Sequence, residues 1–242
     1  MNTSPKPVWD DGVCHVWWAS PQDAHPALTG VMTPAERERA DAYRRPIDRD
    51  RFIVGCALSR HILGSALEIG PADVPLLREC SDCGRPHGKP RLATRELEFS
   101  VSHAGDLVAV AVTPAGEVGV DVERVDVNAV STIVAALGLP TATNTDAAFR
   151  AWVRLEAALK ATGDGLRVEP GHVAFESVSG GTSTDVTISG RAPISMHLHD
   201  LPCDDRHRAA LAVVSTTAVR VQNHVGSQLL KRNLNIILWT VH

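Results

Sequence analysis

Between Val118 and Glu123 valine alternates strictly with glycine or an acid: Val118-Gly119-Val120-Asp121-Val122-Glu123. Side chains of an extended strand point to opposite faces with a period of two. The alternation predicts a strand whose Val120 and Val122 face a core while Asp121 and Glu123 project together from the other side. Two carboxylates side by side repel each other, so the pair is costly unless a cation sits between them. Mg²⁺ suits an all-oxygen site, because it takes a few carboxylates and completes its shell with water and phosphate oxygens. A solvated acidic face on an edge strand explains the same pattern, and this segment alone does not separate the two.

A second segment carries chemistry: Trp152-Val153-Arg154-Leu155-Glu156-Ala157-Ala158-Leu159-Lys160-Ala161-Thr162-Gly163. On a helix Trp152, Glu156 and Lys160 fall at i, i+4 and i+8 and share a face. Taken alone, a Glu–Lys pair at this spacing is an ordinary surface pair worth tenths of a kcal/mol.

The rest of the chain alternates helical and extended patterns. Val13–Trp18 reads as a strand. Thr33-Pro34-Ala35-Glu36 has the N-cap hydroxyl, early proline and third-position acid that start a helix, here running to about Tyr43. After a break at Pro46, Asp50–Leu67 has helical spacing of apolar residues. Gly70 to Arg95 reads as loop. Leu97–Ser102, Leu107–Val112 and Val118–Val125 read as strands, then Asp126–Leu137 and Asp146–Thr162 as helices, the second stopped by Gly163. His172–Ser177, Asp185–Ser189, Ile194–His199 and Arg208–Val214 read as strands. Helices followed by strands, twice over, predict an α+β fold of two similar lobes, residues 1–114 and 115–215. The tail, 216–242, ends in an apolar run from Leu229 that has no evident partner.

Composition excludes several classes. With 242 residues, 44% of them hydrophobic and 21% charged, the chain reads as a soluble globular protein. A net charge of −4 and 4% aromatic residues provide neither the basic field nor the stacking platforms of a nucleic-acid binder. No stretch approaches the roughly 18 apolar residues of a membrane span, and the N-terminus lacks a signal-peptide core. A cytoplasmic protein with reduced thiols is expected. Cys80, Cys83 and His87 are zinc-like, but a structural zinc takes four ligands and no second cysteine pair follows. A loop with two free cysteines is the expected reading.

The two chemical segments together, in this order and about 33 residues apart, resemble the signature of the phosphopantetheinyl transferase superfamily: a Gly-x-Asp-x-Glu strand, then a Trp-x-x-x-Glu-Ala-x-x-Lys helix. Gly119, Asp121, Glu123, Trp152, Glu156, Ala157 and Lys160 match. Upstream, Gly88-Lys89-Pro90 resembles the family's Gly-Lys-Pro loop, Phe99–Ala104 its Phe-x-x-Ser-His-Ser strand end, and Thr33–Phe52 its nucleotide-holding helix-loop-helix. The chain's size resembles the Sfp-type class, in which two lobes related by a pseudo-twofold enclose the active site in a cleft.

The resemblance implies a Mg²⁺-dependent, monomeric transferase. It would move the 4'-phosphopantetheine group of coenzyme A to a serine of an apo acyl or peptidyl carrier protein, with a lean towards polyketide or non-ribosomal peptide synthesis. It implies that Asp121, Glu123 and Glu156 bind Mg²⁺, that Glu156 is the general base, and that Lys160 stabilises the leaving group. Coenzyme A would contact Lys89, Pro90, Ser102, His103, Asp121 and Lys160, with Arg39 and Arg51 on its 3'-phosphate. The chain departs from the pattern at three places. Glu36 replaces a basic residue, so that contact is missing or moves to Arg37. Leu155 replaces a frequent lysine, and Ala104 a serine. The competing reading is an inactive coenzyme A or carrier-binding module, against which the intact Asp121, Glu123, Glu156 and Lys160 argue.

Overall fold

The computed structural model describes residues 9–79, 83–85, 88–177, 183–188 and 190–240. The chain opens with β1 (Val13–Ala19), then α1 (Pro34–Asp41) and α2 (Pro46–Leu67). Thr33 caps α1 as expected, its hydroxyl accepting from Glu36 N while the Glu36 carboxylate accepts from Thr33 N. α2 begins at Pro46 rather than at Asp50, because a proline at the first helical position starts a helix as readily as it ends one. Within the region read as loop, β2 (Leu76–Leu77) and β3 (Arg91–Leu92) form a two-residue antiparallel ladder.

The hairpin β4 (Glu98–Ala104) and β5 (Leu107–Thr113) leads into β6 (Val118–Arg124). Then come α3 (Val130–Ala136), α4 (Thr145–Thr162), β7 (Val173–Ser177), β8 (Ser183–Ile188), β9 (Ile194–Leu201) and β10 (His207–Val214). The fold is α+β. One sheet runs β5 beside β1 and β4; the other runs β6-β10-β9-β8-β7. Within them the order β1-β5-β4 recurs as β6-β10-β9, each time a strand, then helices, then an antiparallel pair.

The two sheets pack face to face between helices. Val118, Val120 and Val122 of β6 and Leu211 and Val213 of β10 meet Cys14, Val16, Ala109 and Ala111 of the first sheet. The other face of β10, with Ala210 and Ala212, lies under Val153, Ala157 and Ala161 of α4. α2 covers the first sheet through Val54, Ala57 and Leu58 against Val108, Val110 and Val112. The segment after Ser215, for which the sequence offered no partner, turns back onto the first sheet. It forms β11 (Arg220–Val225), parallel to β1, and α5 (Gly226–Thr240), whose Leu230 is fully buried in that core. A bond of 2.9 Å between His15 Nδ1 and His224 Nε2 joins β1 to β11. No helix among the described residues is long and apolar enough to cross a membrane.

Candidate active site

β4 and β6 lie side by side, and serine hydroxyls replace ladder carbonyls between them. Val120 N donates to Ser100 Oγ at 3.1 Å and Val122 N to Ser102 Oγ at 3.2 Å. This seam draws Asp121 against α4. Gly119 permits the approach: a Cβ there would overlap Ala157 O and Ala161 N of the helix. β6 is therefore buried on both faces, and Asp121, at 3% exposure, is no part of a solvated acidic edge.

The carboxylates of Asp121, Glu123 and Glu156 act on one another here. Burial and the charges of Asp121 and Glu156 push the Glu123 carboxyl up to about 7. Burial and the Asp121 charge likewise raise Glu156. Lys160 is the cation they share: its Nζ lies 2.6 Å from Asp121 Oδ1, and it opposes the rise at both glutamates. The Trp152 side chain, on the same helix face, hydrogen-bonds Glu123.

Among the described residues no three His, Cys, Asp or Glu side chains stand as a ready metal cluster. Two carboxylate oxygens nevertheless face the interior with no hydrogen-bond partner, Asp121 Oδ2 and Glu156 Oε1. Buried unpaired oxygens beside a carboxyl driven towards neutrality mark a deficit of positive charge. That donor set fits a hard, oxygen-liganded divalent ion.

The opposite face of β4 looks into a cavity of about 180 Å³ lined by Arg39, Arg51, Phe52, Arg78 and His103. Burial, then the nearby Arg39, pull the Arg78 guanidinium down from its ordinary value. The Arg39 guanidinium lies over the Phe52 ring, 5.5 Å from its centroid. Burial holds His103 below the usual histidine value, so it is neutral at pH 7. Arg51 is already engaged, with Nε and Nη2 on Gly105 O at 2.9 and 2.6 Å and Nη1 on Asp48.

The acid in this wall, Glu36, is consumed. Arg60 donates to both its oxygens, at 2.9 and 3.1 Å. Position 36 is therefore occupied by half of a buried ion pair. Nor does Arg37 take over as a phosphate contact, since its Nη1 donates to the Thr29 and Met32 carbonyls. Arg78, unanticipated from the sequence, supplies a cation from β2's side instead. In the sequence it is one of four arginines, with Arg85, Arg91 and Arg95, in a segment read as loop, and nothing there sets it apart.

A second cavity, of about 440 Å³, is lined by Lys89, Pro90, Arg91, Val101, Lys160 and Arg167, among others. Pro90 and Val101 stand in the walls of both cavities, so the two adjoin. The Lys89 ammonium is spent on backbone, donating to Val118 O at 2.8 Å and Ala161 O at 3.3 Å. Burial, with Arg91 adding to it, pulls Lys89 down to about 8. Ser102 and His103, which the resemblance places together on phosphates, are separated: consecutive strand residues face opposite ways. His103 lines the arginine cavity, while the Ser102 hydroxyl donates to Asp121 Oδ1 at 3.0 Å. Cys83 is exposed, and Cys80 and His87 lie outside the described residues, as does any zinc site built on them.

Residues 15–115 match the family model described as 4'-phosphopantetheinyl transferase, N-terminal. The 4'-phosphopantetheinyl transferase HetI of Nostoc is 29% identical over 214 residues, which cover 82% of this chain and 86% of that protein. A phosphopantetheinyl transferase of Thraustochytrium is 37% identical over 109 residues, 44% of this chain and 36% of that protein. The chain is similar to phosphopantetheinyl transferases over most of its length. The two adjoining cavities differ: arginines line one, and the other ends at Lys160 beside the acids.

Proposed function

We propose that the chain transfers the 4'-phosphopantetheine group of coenzyme A to a serine hydroxyl of an apo acyl or peptidyl carrier protein, releasing 3',5'-ADP. The observation that carries this reading is the cluster of Asp121, Glu123 and Glu156 around Lys160, which also lines the cavity of about 440 Å³ with Lys89, Arg91 and Arg167. The orphan oxygens of Asp121 and Glu156, with Glu123, support a Mg²⁺ site. When bound, Mg²⁺ supplies Lewis acidity at the phosphorus under attack.

The chain's own residues do the rest. Glu156, its carboxyl raised by burial, is the better base for it and takes the proton of the attacking serine hydroxyl. Lys160 places positive charge where the departing phosphate gathers it. The guanidiniums of Arg39 and Arg78 grip the 3'-phosphate, a task for which paired planar donors suit arginine. Neutral His103 donates one N–H to a phosphate oxygen. Polyketide and non-ribosomal peptide carriers are the proposed acceptors.

The test is to mix the protein, coenzyme A, Mg²⁺ and apo carrier proteins of several types, then weigh the carriers. A phosphopantetheine mass increment is expected, falling about 10²–10⁴-fold in rate for Glu156→Gln. No increment on any carrier sinks the enzyme reading in favour of a binding module.

A further inference from the structure

Asp121 is held unevenly. Lys160 Nζ donates to Oδ1 at 2.6 Å, and Ser102 Oγ donates to the same oxygen at 3.0 Å. Lys160 also donates to Ser102 Oγ at 3.0 Å, and Val122 N to that hydroxyl at 3.2 Å. A serine hydroxyl has one proton and two lone pairs, and all three are used. Ser102 has nothing left for a coenzyme A phosphate while this arrangement stands. Oδ2 of the same carboxylate is buried without a partner, as is Glu156 Oε1.

Two donors converging on one oxygen fix the carboxylate's rotamer and determine which oxygen is left open. Ligand carboxylates are held in this way by hydrogen bonds from behind, and such outer contacts set metal affinity as well as geometry. We propose that Ser102 and Lys160 form a clamp that orients Asp121 for the divalent ion, Ser102 acting as a positioning residue and Lys160 taking this duty besides its place at the leaving group. The clamp rests on the metal reading above. It separates Ser102 from the phosphate-binding role implied by its place beside His103, and it explains why the hydroxyl faces the acids.

The experiment measures Mn²⁺ binding to the full chain by the electron paramagnetic resonance of free Mn²⁺, with and without coenzyme A. Wild type, Ser102→Ala and Lys160→Met are compared, each first checked for cooperative thermal unfolding. Ser102→Ala and Lys160→Met are each expected to weaken Mn²⁺ about 10–100-fold, the usual cost of an outer-shell partner. The lysine variant makes this a strict test, because removing a positive charge beside a cation site would by itself tighten binding. Serine to alanine changes no charge and leaves β6 otherwise paired. Mn²⁺ held as tightly as in wild type by either variant overturns the clamp alone. Wild-type protein that takes up no Mn²⁺ in either arm sinks the metal reading and the clamp with it.

Discussion

The two halves of the site are crowds of like charge that are balanced in different ways. On β6 and α4, Asp121, Glu123 and Glu156 share Lys160, and the shortfall shows as two unpaired buried oxygens and a carboxyl raised to about 7. Beside β4, Arg39, Arg51 and Arg78 surround a cavity whose one acid among the described residues, Glu36, is already bonded to Arg60. Under the proposed function a magnesium nucleotide would bring a cation to the acids and an anion to the arginines. The acids stand on a strand and a helix locked by close packing at Gly119, while the arginines come from two helices and the end of a short strand. Rigid placement suits the group that must meet reacting atoms within tenths of an ångström; the distal phosphate needs only charge and reach.

If Glu36 is framework rather than ligand, its largest effect is on stability. Arg60 is 1% exposed, and its guanidinium also donates to the Pro71, Ala72 and Val74 carbonyls. Removing one partner of such a pair strands the other charge, which costs about 3–5 kcal/mol. Glu36→Gln is therefore expected to lower urea stability by about that amount, with the coenzyme A constant of the surviving folded protein little changed. A stable variant with weakened coenzyme A binding would reverse the assignment and make Glu36 part of the ligand site.

Arg78 tests the other half. Arg78→Ala is expected to raise the coenzyme A Kd by about tenfold or more, the size of one charge-assisted hydrogen bond, and to leave Mn²⁺ binding alone. The same change measured with 3'-dephospho-coenzyme A is expected to have little effect. Equal losses for both ligands would move Arg78 off the 3'-phosphate.

These regions also differ in how far the sequence discloses them. Strand period two and helix spacing of four put the acids and Lys160 on defined faces, but only the resemblance of the two motifs together to a family signature made Asp121, Glu123, Glu156 and Lys160 legible as a group. The α+β class and the strands from Val13 to Val214 were legible from those periods. Arg78 was not, because its neighbours Arg39 and Arg51 are remote in sequence and only tertiary packing joins them. Position 36 was legible as the acid of a capping box, but its ion pair with Arg60, 24 residues on, was not. The tail was opaque because a parallel edge strand is paired by β1, some 200 residues earlier, and nothing within Arg220–Val225 names that partner.

The smallest expected effect is the most specific to the acid cluster. Glu123 has an ordinary value of 4.5 and is pushed up to about 7 by burial and by the Asp121 and Glu156 charges. Between those values the folded chain holds a proton that the unfolded chain has released, so stability falls as pH rises through that window. Other groups slope the same curve: Glu156 in the same direction, Glu36 and Asp200, both lowered in the fold, in the opposite one. The contributions of Glu36 and Asp200 cancel in a difference, while that of Glu156, coupled to Glu123, adds to the same decline. In chelator, the melting temperature of wild type minus that of Glu123→Gln should decline from pH 4.5 to 7 and then level off. Saturating Mg²⁺ should flatten the decline, because a bound cation removes the repulsion that lifted the carboxyl. Parallel curves in chelator would mean that Glu123 does not feel its neighbours, and that the acids do not act as one site.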